Sequence, residues 1–384
     1  MAISELGSFE VNNSLRVLTL AGDPGGGAAI APVIERLSET KTVHAYAYRQ
    51  SVELFWDRGI NCEAMCESTS DADFHKLLDD VRPDVVLSAT SVNGVDLERK
   101  LIRAAYELEI PSVSVLDFWA NYRSRFADAD GELRYLPNRI AVMDAKARES
   151  MIVAGFPEGI ITITGQPALD HLTNVIKSKK RQRRIDTRSA LGIDDTAKLV
   201  VFMSQPLEEF YRDYNTDQLP PAYNEKTVFA DLISAANDNE SIRIVIKPHP
   251  REVLDSWKEV LEEHSLVSLD SETNSHDLAL AADRVVGMTS MILVECAMLG
   301  CRVISVQSGE AESKNPFVGF PNIYFCNTYA DFDRAFRAGS SKGNPQGTIV
   351  CSNATKNVVD VLYTLKKDVR GRRKSSCNHS NTIN

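Results

Sequence analysis

Several features are scarce in this chain of 384 residues, and each scarcity removes a class of function. No run of about 18 apolar residues occurs, so no stretch reads as a transmembrane helix. Residues 1–15 are polar and mixed, without the basic-then-apolar order of a signal peptide, and a cytoplasmic location is expected. Positive charge is in deficit. Lys and Arg number 43 against 53 Asp and Glu, a formal net charge of -10. Proteins that grip a phosphate backbone need a positive footprint, so nucleic acid is not an expected partner. The seven cysteines include no metal-type pairs. Cys62 and Cys66 are spaced C-x3-C with no second Cys/His pair, which implies free thiols in a reducing compartment rather than a zinc site. No metal and no cofactor is expected. The chain also lacks the G-x-G-x-x-G dinucleotide pattern and the G-K-[ST] of a P-loop.

What is present is an alternation. Leu15–Ala21 is a continuous apolar run, the mark of a strand buried on both faces. A glycine-rich turn, Gly22-Asp-Pro-Gly-Gly-Gly27, follows, and then a helical pattern from Ala28 to Leu37. Strands are predicted at 42–48, 83–90, 110–117, 139–143 and 160–164, with helices between them. The series starts again at Lys198–Met203 and continues through 242–246, 266–269, 284–288 and 302–306. Short strand–helix alternation implies parallel, doubly wound sheets, and the length suits two domains. The expected division is a disordered 1–14, a first domain over 15–176, a basic linker over 177–195, a second domain over 196–368 and a disordered basic tail over 369–384. The linker holds the run KSKKRQRR at 177–184, read as solvated. With the basic tail, it leaves room for weak peripheral contact with an anionic membrane.

Chemistry-bearing residues collect at predicted strand ends. The strand Ile242–Ile246 runs into Lys247-Pro-His-Pro250. Two prolines stiffen the backbone around one imidazole and one ammonium, a cationic strand end suited to phosphate. Ser204 and Gln205 follow the strand Lys198–Met203. Thr289 and Ser290 stand at the start of a helix, where hydroxyls and free N–H groups bind phosphate. Glu295, inside that helix, is placed to accept both hydroxyls of a ribose or merely to face the helix dipole. In the first half, Gly25, Gly26 and Gly27 let the backbone approach a ligand or serve packing alone. Asp117, Trp119 and Asn121 follow another strand and suit a sugar acceptor; Asp117, or else Asp23, is the candidate base. Asp144 reads as a helix cap.

In these segments the chain resembles the GT-B superfamily of nucleotide-sugar enzymes. The resemblance rests on the 22–27 turn, Ile161-Thr-Ile-Thr-Gly-Gln-Pro-Ala-Leu-Asp170, Arg188-Ser-Ala-Leu-Gly-Ile193, Lys247-Pro-His-Pro250, and 277–290 onward to Gly300. It implies an α/β architecture of two Rossmann-like doubly wound domains facing a cleft. His249-Pro250 and Thr289-Ser290 look like the donor-phosphate motifs of capsule and teichoic-acid transferases. Thr164–Asp170 is similar to a segment of the non-hydrolysing UDP-N-acetylglucosamine 2-epimerases. The chain departs from the epimerases in its first turn and in having Gly287-Met-Thr-Ser290 where they have Ser-Gly-Gly.

The implied activity is an inverting, metal-independent glycosyl- or glycerophosphotransferase of surface-polysaccharide or glycoconjugate synthesis. Its donor is nucleotide-activated, and its acceptor a carbohydrate or lipid-linked molecule. Lys247, His249, Thr289 and Ser290 would hold the donor phosphate and Glu295 the ribose. A 2-epimerase and a non-catalytic nucleotide-sugar-binding protein are the alternatives, and a homodimer is compatible with either.

Overall fold

A computed structural model describes residues 15–92, 94–170, 172, 180–213, 220–236, 241–311, 315–317, 320, 322–338 and 353–379. Two compact units emerge. The first takes the chain up to Asp117, then Asn121–Ala168, and again from Asn353 onward; the second takes Phe118–Ala120 and Leu169–Ser352.

The first unit holds seven strands: β1 Arg16–Ala21, β2 Thr42–Ala47, β3 Glu63–Ala64, β4 Val85–Ser88, β5 Ser112–Val115, β6 Arg139–Val142 and β7 Ile161–Ile163. They are parallel, in the order β3-β2-β1-β4-β5-β6-β7. The second unit holds six: β8 Lys198–Met203, β9 Ile242–Lys247, β10 Val267–Leu269, β11 Arg284–Gly287, β12 Val303–Val306 and β13 Ile323–Cys326. They too are parallel, in the order β10-β9-β8-β11-β12-β13. In each sheet the chain builds outward from its first strand, then returns to build the other side. The reversal falls between β1 and β4, and between β8 and β11. Such switch points leave a crevice beyond the strands' carboxyl ends.

The central strands form because their residues are apolar on both faces. β1 and β8 are buried at every position but the first, and β4, β5 and β12 throughout. Two predicted boundaries are corrected. Gly25, Gly26 and Gly27 are not a turn before a helix. The helix Pro24–Ser38 already contains them, with Pro24 at its first position, where a missing N–H costs nothing. The polar and aromatic stretch Glu208–Tyr223, which reads as a long loop, begins inside the helix Leu207–Asp213; residues 214–219 lie outside the described ones.

The chain's division also differs from the expected one. The helix Ala354–His379 packs on the first unit, not the second. Val358, Leu362 and Leu365 join that unit's core, and Lys366, 4% exposed at its side chain, pairs with Asp84 at 2.9 Å. It continues to His379 through residues expected to be a disordered tail; 380–384 and the N-terminal 1–14 lie outside the described residues.

The basic run is not a solvated linker over 180–190. There it forms the helix Lys180–Ala190, and its cations cap other helices. Arg184 donates to the carbonyls of Leu280, Ala281 and Ala282, Arg188 to Ala281, and Lys180 to Leu299. These carbonyls lie at the ends of the helices Ser275–Ala281 and Met291–Met298. Orphan carbonyls and the negative end of a helix dipole both favour cations. Arg183 and Arg184 also pair with Asp277 and Asp283. Among the described residues no helix is long and apolar enough to cross a membrane.

Candidate functional site

In the second unit, the carboxyl ends of β9, β8 and β11 lie side by side. They carry His249, then Ser204 and Gln205, then Thr289 and Ser290. The sequence-selected residues meet here through hydrogen bonds. Thr289 donates to Gln205 Oε1 from its backbone N (3.3 Å) and its hydroxyl (3.2 Å). That fixes the orientation of the Gln205 amide and leaves its NH2 group as a donor. Ser204 Oγ donates to Glu252 Oε1 at 2.8 Å. Glu252 also accepts from the backbone N of His249 (3.0 Å) and from Trp257 Nε1 (2.7 Å). Glu252 therefore ties the Pro-His-Pro turn to the neighbouring strand end. Sequence reading missed it; a carboxylate three residues after His249 in a stiff turn was the available signal.

The protonation state of His249 follows from its surroundings. Burial pushes its pKa down to about 4, helped by Arg251. The backbone N–H of Arg251 donates to its Nδ1 at 3.2 Å, so the neutral ring carries its proton on Nε2. Ser290 stands at the N-cap of the helix Met291–Met298, and its hydroxyl makes no capping bond. Fixed, uncharged donors thus line this strand end.

Two expected phosphate and ribose ligands are otherwise engaged. Lys247 sends its ammonium to the carbonyl of Ser271 at 2.6 Å. Glu295 is held by His276, Nε2 to Oε2 at 2.5 Å. Nothing in the sequence pairs His276 with Glu295, nineteen residues apart on two helices.

The first unit's switch point has a different character. Asp117, just beyond β5, pairs through Oδ1 with Arg125, which is 5% exposed, and accepts from Thr90 Oγ1 at 3.3 Å. Its other oxygen lies 2.7 Å from where a side-chain carbon on Gly25 would stand. The chain's own carboxylate therefore sits beside the N-terminus of the helix Pro24–Ser38. Gln166, 5% exposed, donates to the carbonyls of Leu116 (3.2 Å) and Asp117 (3.0 Å) and fixes that strand end.

Asp23 caps no helical N–H with its side chain; its Oδ2 accepts from the backbone N of Val92 at 3.2 Å. Gly26 and Gly27 are buried. A β-carbon on Gly26 would stand 2.9 Å from that of Ala89, and one on Gly27 2.5 Å from Ser51 Oγ. Their lack of a side chain serves close packing, Gly26 on the strand end at Ala89 and Gly27 on the helix Gln50–Asp57. Trp119 is 5% exposed, edge-on to Phe320 with ring centroids 4.8 Å apart, so it presents no open sugar platform. Asn121 is exposed and turns the chain at φ 57°. Asp144 is the helix cap expected, accepting from the backbone N of Ala147 at 2.8 Å.

Behind Asp23 lies a carboxyl that sequence reading passed over. Glu98, 3% exposed, accepts from Tyr48 Oη and from Ser91 Oγ, both at 2.6 Å. Burial raises its pKa to about 7. Its signal was spacing. Glu98 shares a helical face with Leu101, Ile102 and Ala105, all buried.

Two doubly wound parallel sheets in one chain make a fold of the GT-B type. Solved structures agree. The UDP-GlcNAc 2-epimerase from Neisseria meningitidis bound to UDP-GlcNAc superposes with a TM-score of 0.67 at 16% identity, covering 91% of this chain and 100% of that one. The Methanocaldococcus jannaschii UDP-GlcNAc 2-epimerase in complex with UDP-GlcNAc and UDP gives 0.62 at 14% identity, covering 91% and 99%. Anabaena HepE in complex with UDP and glucose gives 0.57 at 12% identity, covering 94% and 100%. No curated protein matches by sequence. Residues 62–323 match the family described as "Protein of unknown function (DUF354)", and the chain belongs to that family.

Proposed function

We propose that the chain is a nucleotide-sugar enzyme, and within that class an inverting glycosyl- or glycerophosphotransferase of surface-polysaccharide or glycoconjugate synthesis. One observation carries this reading. At the second unit's switch point, the Nε2–H of a neutral His249, the amide NH2 of Gln205 and the Ser290 hydroxyl are all donors, at the start of a helix. Preorganised donors of this kind stabilise charge that develops on a departing phosphate. The base proposed is Asp117. Asp117 is oriented through Oδ1 by Arg125 and Thr90, which leaves Oδ2 to accept the proton of an acceptor hydroxyl. Asp23 is the alternative base. The acceptor would be a carbohydrate or a lipid-linked molecule.

The test is nucleotide release from UDP-, CDP-, GDP- and CMP-activated donors, with and without carbohydrate acceptors. Acceptor-dependent release that disappears in Asp117→Asn and in His249→Ala supports transfer. Release unaffected by both substitutions removes it. Binding of a donor without any turnover supports a non-catalytic binding protein instead.

A 2-epimerase is the second reading, favoured by the fold shared with 2-epimerases over nine-tenths of the chain. Incubation of a UDP-sugar in heavy water without acceptor separates the two. Deuterium at C2 means epimerisation, and no exchange counts against it.

A further inference from the structure

We infer that His276 is a positioning residue for ribose recognition: it clamps one oxygen of Glu295 and leaves the other as the sole acceptor offered to a nucleotide's ribose. This rests on the nucleotide site proposed for the second unit.

The sequence alone allowed Glu295 to take both ribose hydroxyls. The structure divides its two oxygens. Oε2 is bound to His276 Nε2 at 2.5 Å, and Oε1 has no partner among the described residues. The side chains of His276 and Glu295 are 17% and 19% exposed, so the pair is sheltered but reachable. Glu295 lies on the helix Met291–Met298, whose N-terminus is Ser290. A free glutamate on a helix samples several rotamers, and a bond to a fixed imidazole selects one.

His276 is itself fixed. Its backbone N donates to the capping Asn274 Oδ1 at 2.9 Å. The loop before it is closed by Asp270, which accepts from the backbone N of Glu272 (2.9 Å) and Thr273 (2.8 Å). Lys247 holds the same loop through the Ser271 carbonyl. Lys247 thus braces the loop that carries the clamp.

A hydroxyl donating to a carboxylate makes a charge-assisted bond, so its loss should cost roughly ten-fold or more in affinity. Calorimetric titration with UDP, 2′-deoxy-UDP and 3′-deoxy-UDP tests the clamp. Wild type should prefer UDP over one deoxy analogue by about that factor. Glu295→Gln and His276→Phe should each reduce the preference to within about three-fold, and the double variant should reduce it no further. His276→Gln, whose amide can still donate, should retain part of it, which separates a lost clamp from a damaged fold. Retention of the full preference in His276→Phe overturns the inference, as does a wild type that binds UDP without any ribose preference; both leave the nucleotide site standing. A wild type that binds none of the three, nor CDP or GDP, removes the proposed site and the inference together.

Discussion

The two units share one topology and have opposite chemistry at the same place in it. At the β8/β11 switch point, the helix Met291–Met298 begins with an uncapped hydroxyl, and the residues around it present N–H and O–H donors. At the β1/β4 switch point, the helix Pro24–Ser38 begins beside the chain's own Asp117, with Asp23 at its cap and Glu98 buried behind. A helix N-terminus attracts an anion in either case. In the first unit the protein supplies the anion itself, with Arg125 as its counter-charge. In the second it leaves the place open. A fold common to both halves therefore does not set the chemistry at its switch points; a few side chains decide.

Four measurements probe this difference between the units, in descending size of effect. If the last helix belongs to the first unit alone, Leu362→Ala should destabilise that unit by about 2–5 kcal/mol, the usual range for a buried leucine. Hydrogen exchange should quicken over β1, β2 and β4 while β8 to β12 keep their protection. Equal loosening of both units would contradict the assignment.

If the donors of the second unit hold a leaving phosphate, His249→Ala should slow donor turnover by about 10²–10³-fold, read by nucleotide release. The change should appear in kcat as well as kcat/KM, since the interaction is strongest in the transition state.

The units should also respond to pH in opposite senses. Glu98 is raised by burial from an ordinary 4.5 to about 7. Folded, it keeps a proton that the unfolded chain has released, so its contribution is full below pH 4.5 and is lost as pH rises towards 7. His249 is lowered by burial, with Arg251 assisting, from 6.5 to about 4. Its contribution is full above pH 6.5 and is lost as pH falls towards 4. Each shift corresponds to roughly 3 kcal/mol at most. Urea unfolding followed by hydrogen exchange across pH 4 to 7 should show Glu98→Gln flattening the response of the first unit, and a His249→Asn variant that of the second.

The smallest effect is steric. A β-carbon at Gly22 would stand 2.0 Å from Tyr48 Cζ, and Tyr48 is held by Glu98. Gly22→Ala should cost about 1–3 kcal/mol in the first unit by overpacking, seen as a lower urea midpoint. In the second unit, Gly287→Ala at the end of β11 meets Leu293 and a Met203 carbonyl only at 3.0 Å and should cost less.

Much of the fold was legible because its strands are local. β8 was located to the residue, and most others to within two, since a run of apolar residues reports burial without any knowledge of neighbours. β3, β13 and the helix Tyr329–Arg337 were missed; apart from Cys326, every residue of these two strands stays at least partly exposed, which weakens the apolar signal. At the site, the Pro-His-Pro turn and the Thr-Ser helix start were legible because prolines fix their own backbone and the residue type at a helix start is a local signal. Arg125, Gln166 and His276 were not, because each acts on a residue across a loop or a sheet.

By itself the sequence determined that there would be two parallel sheets and which strand ends would carry polar groups. Both follow from short-range patterns of apolar burial and backbone stiffness. Only tertiary structure decided how those groups are used. Tyr48 reaches Glu98 over 50 residues, Lys180 reaches Leu299 over 119, and Lys366 reaches Asp84 over 282. Contacts of that span leave no trace in local periodicity. They nevertheless settle which carboxyl keeps its proton, which cation caps a helix and which donors are left facing a ligand, because a polar group in a folded interior must take whatever partner the fold brings to it.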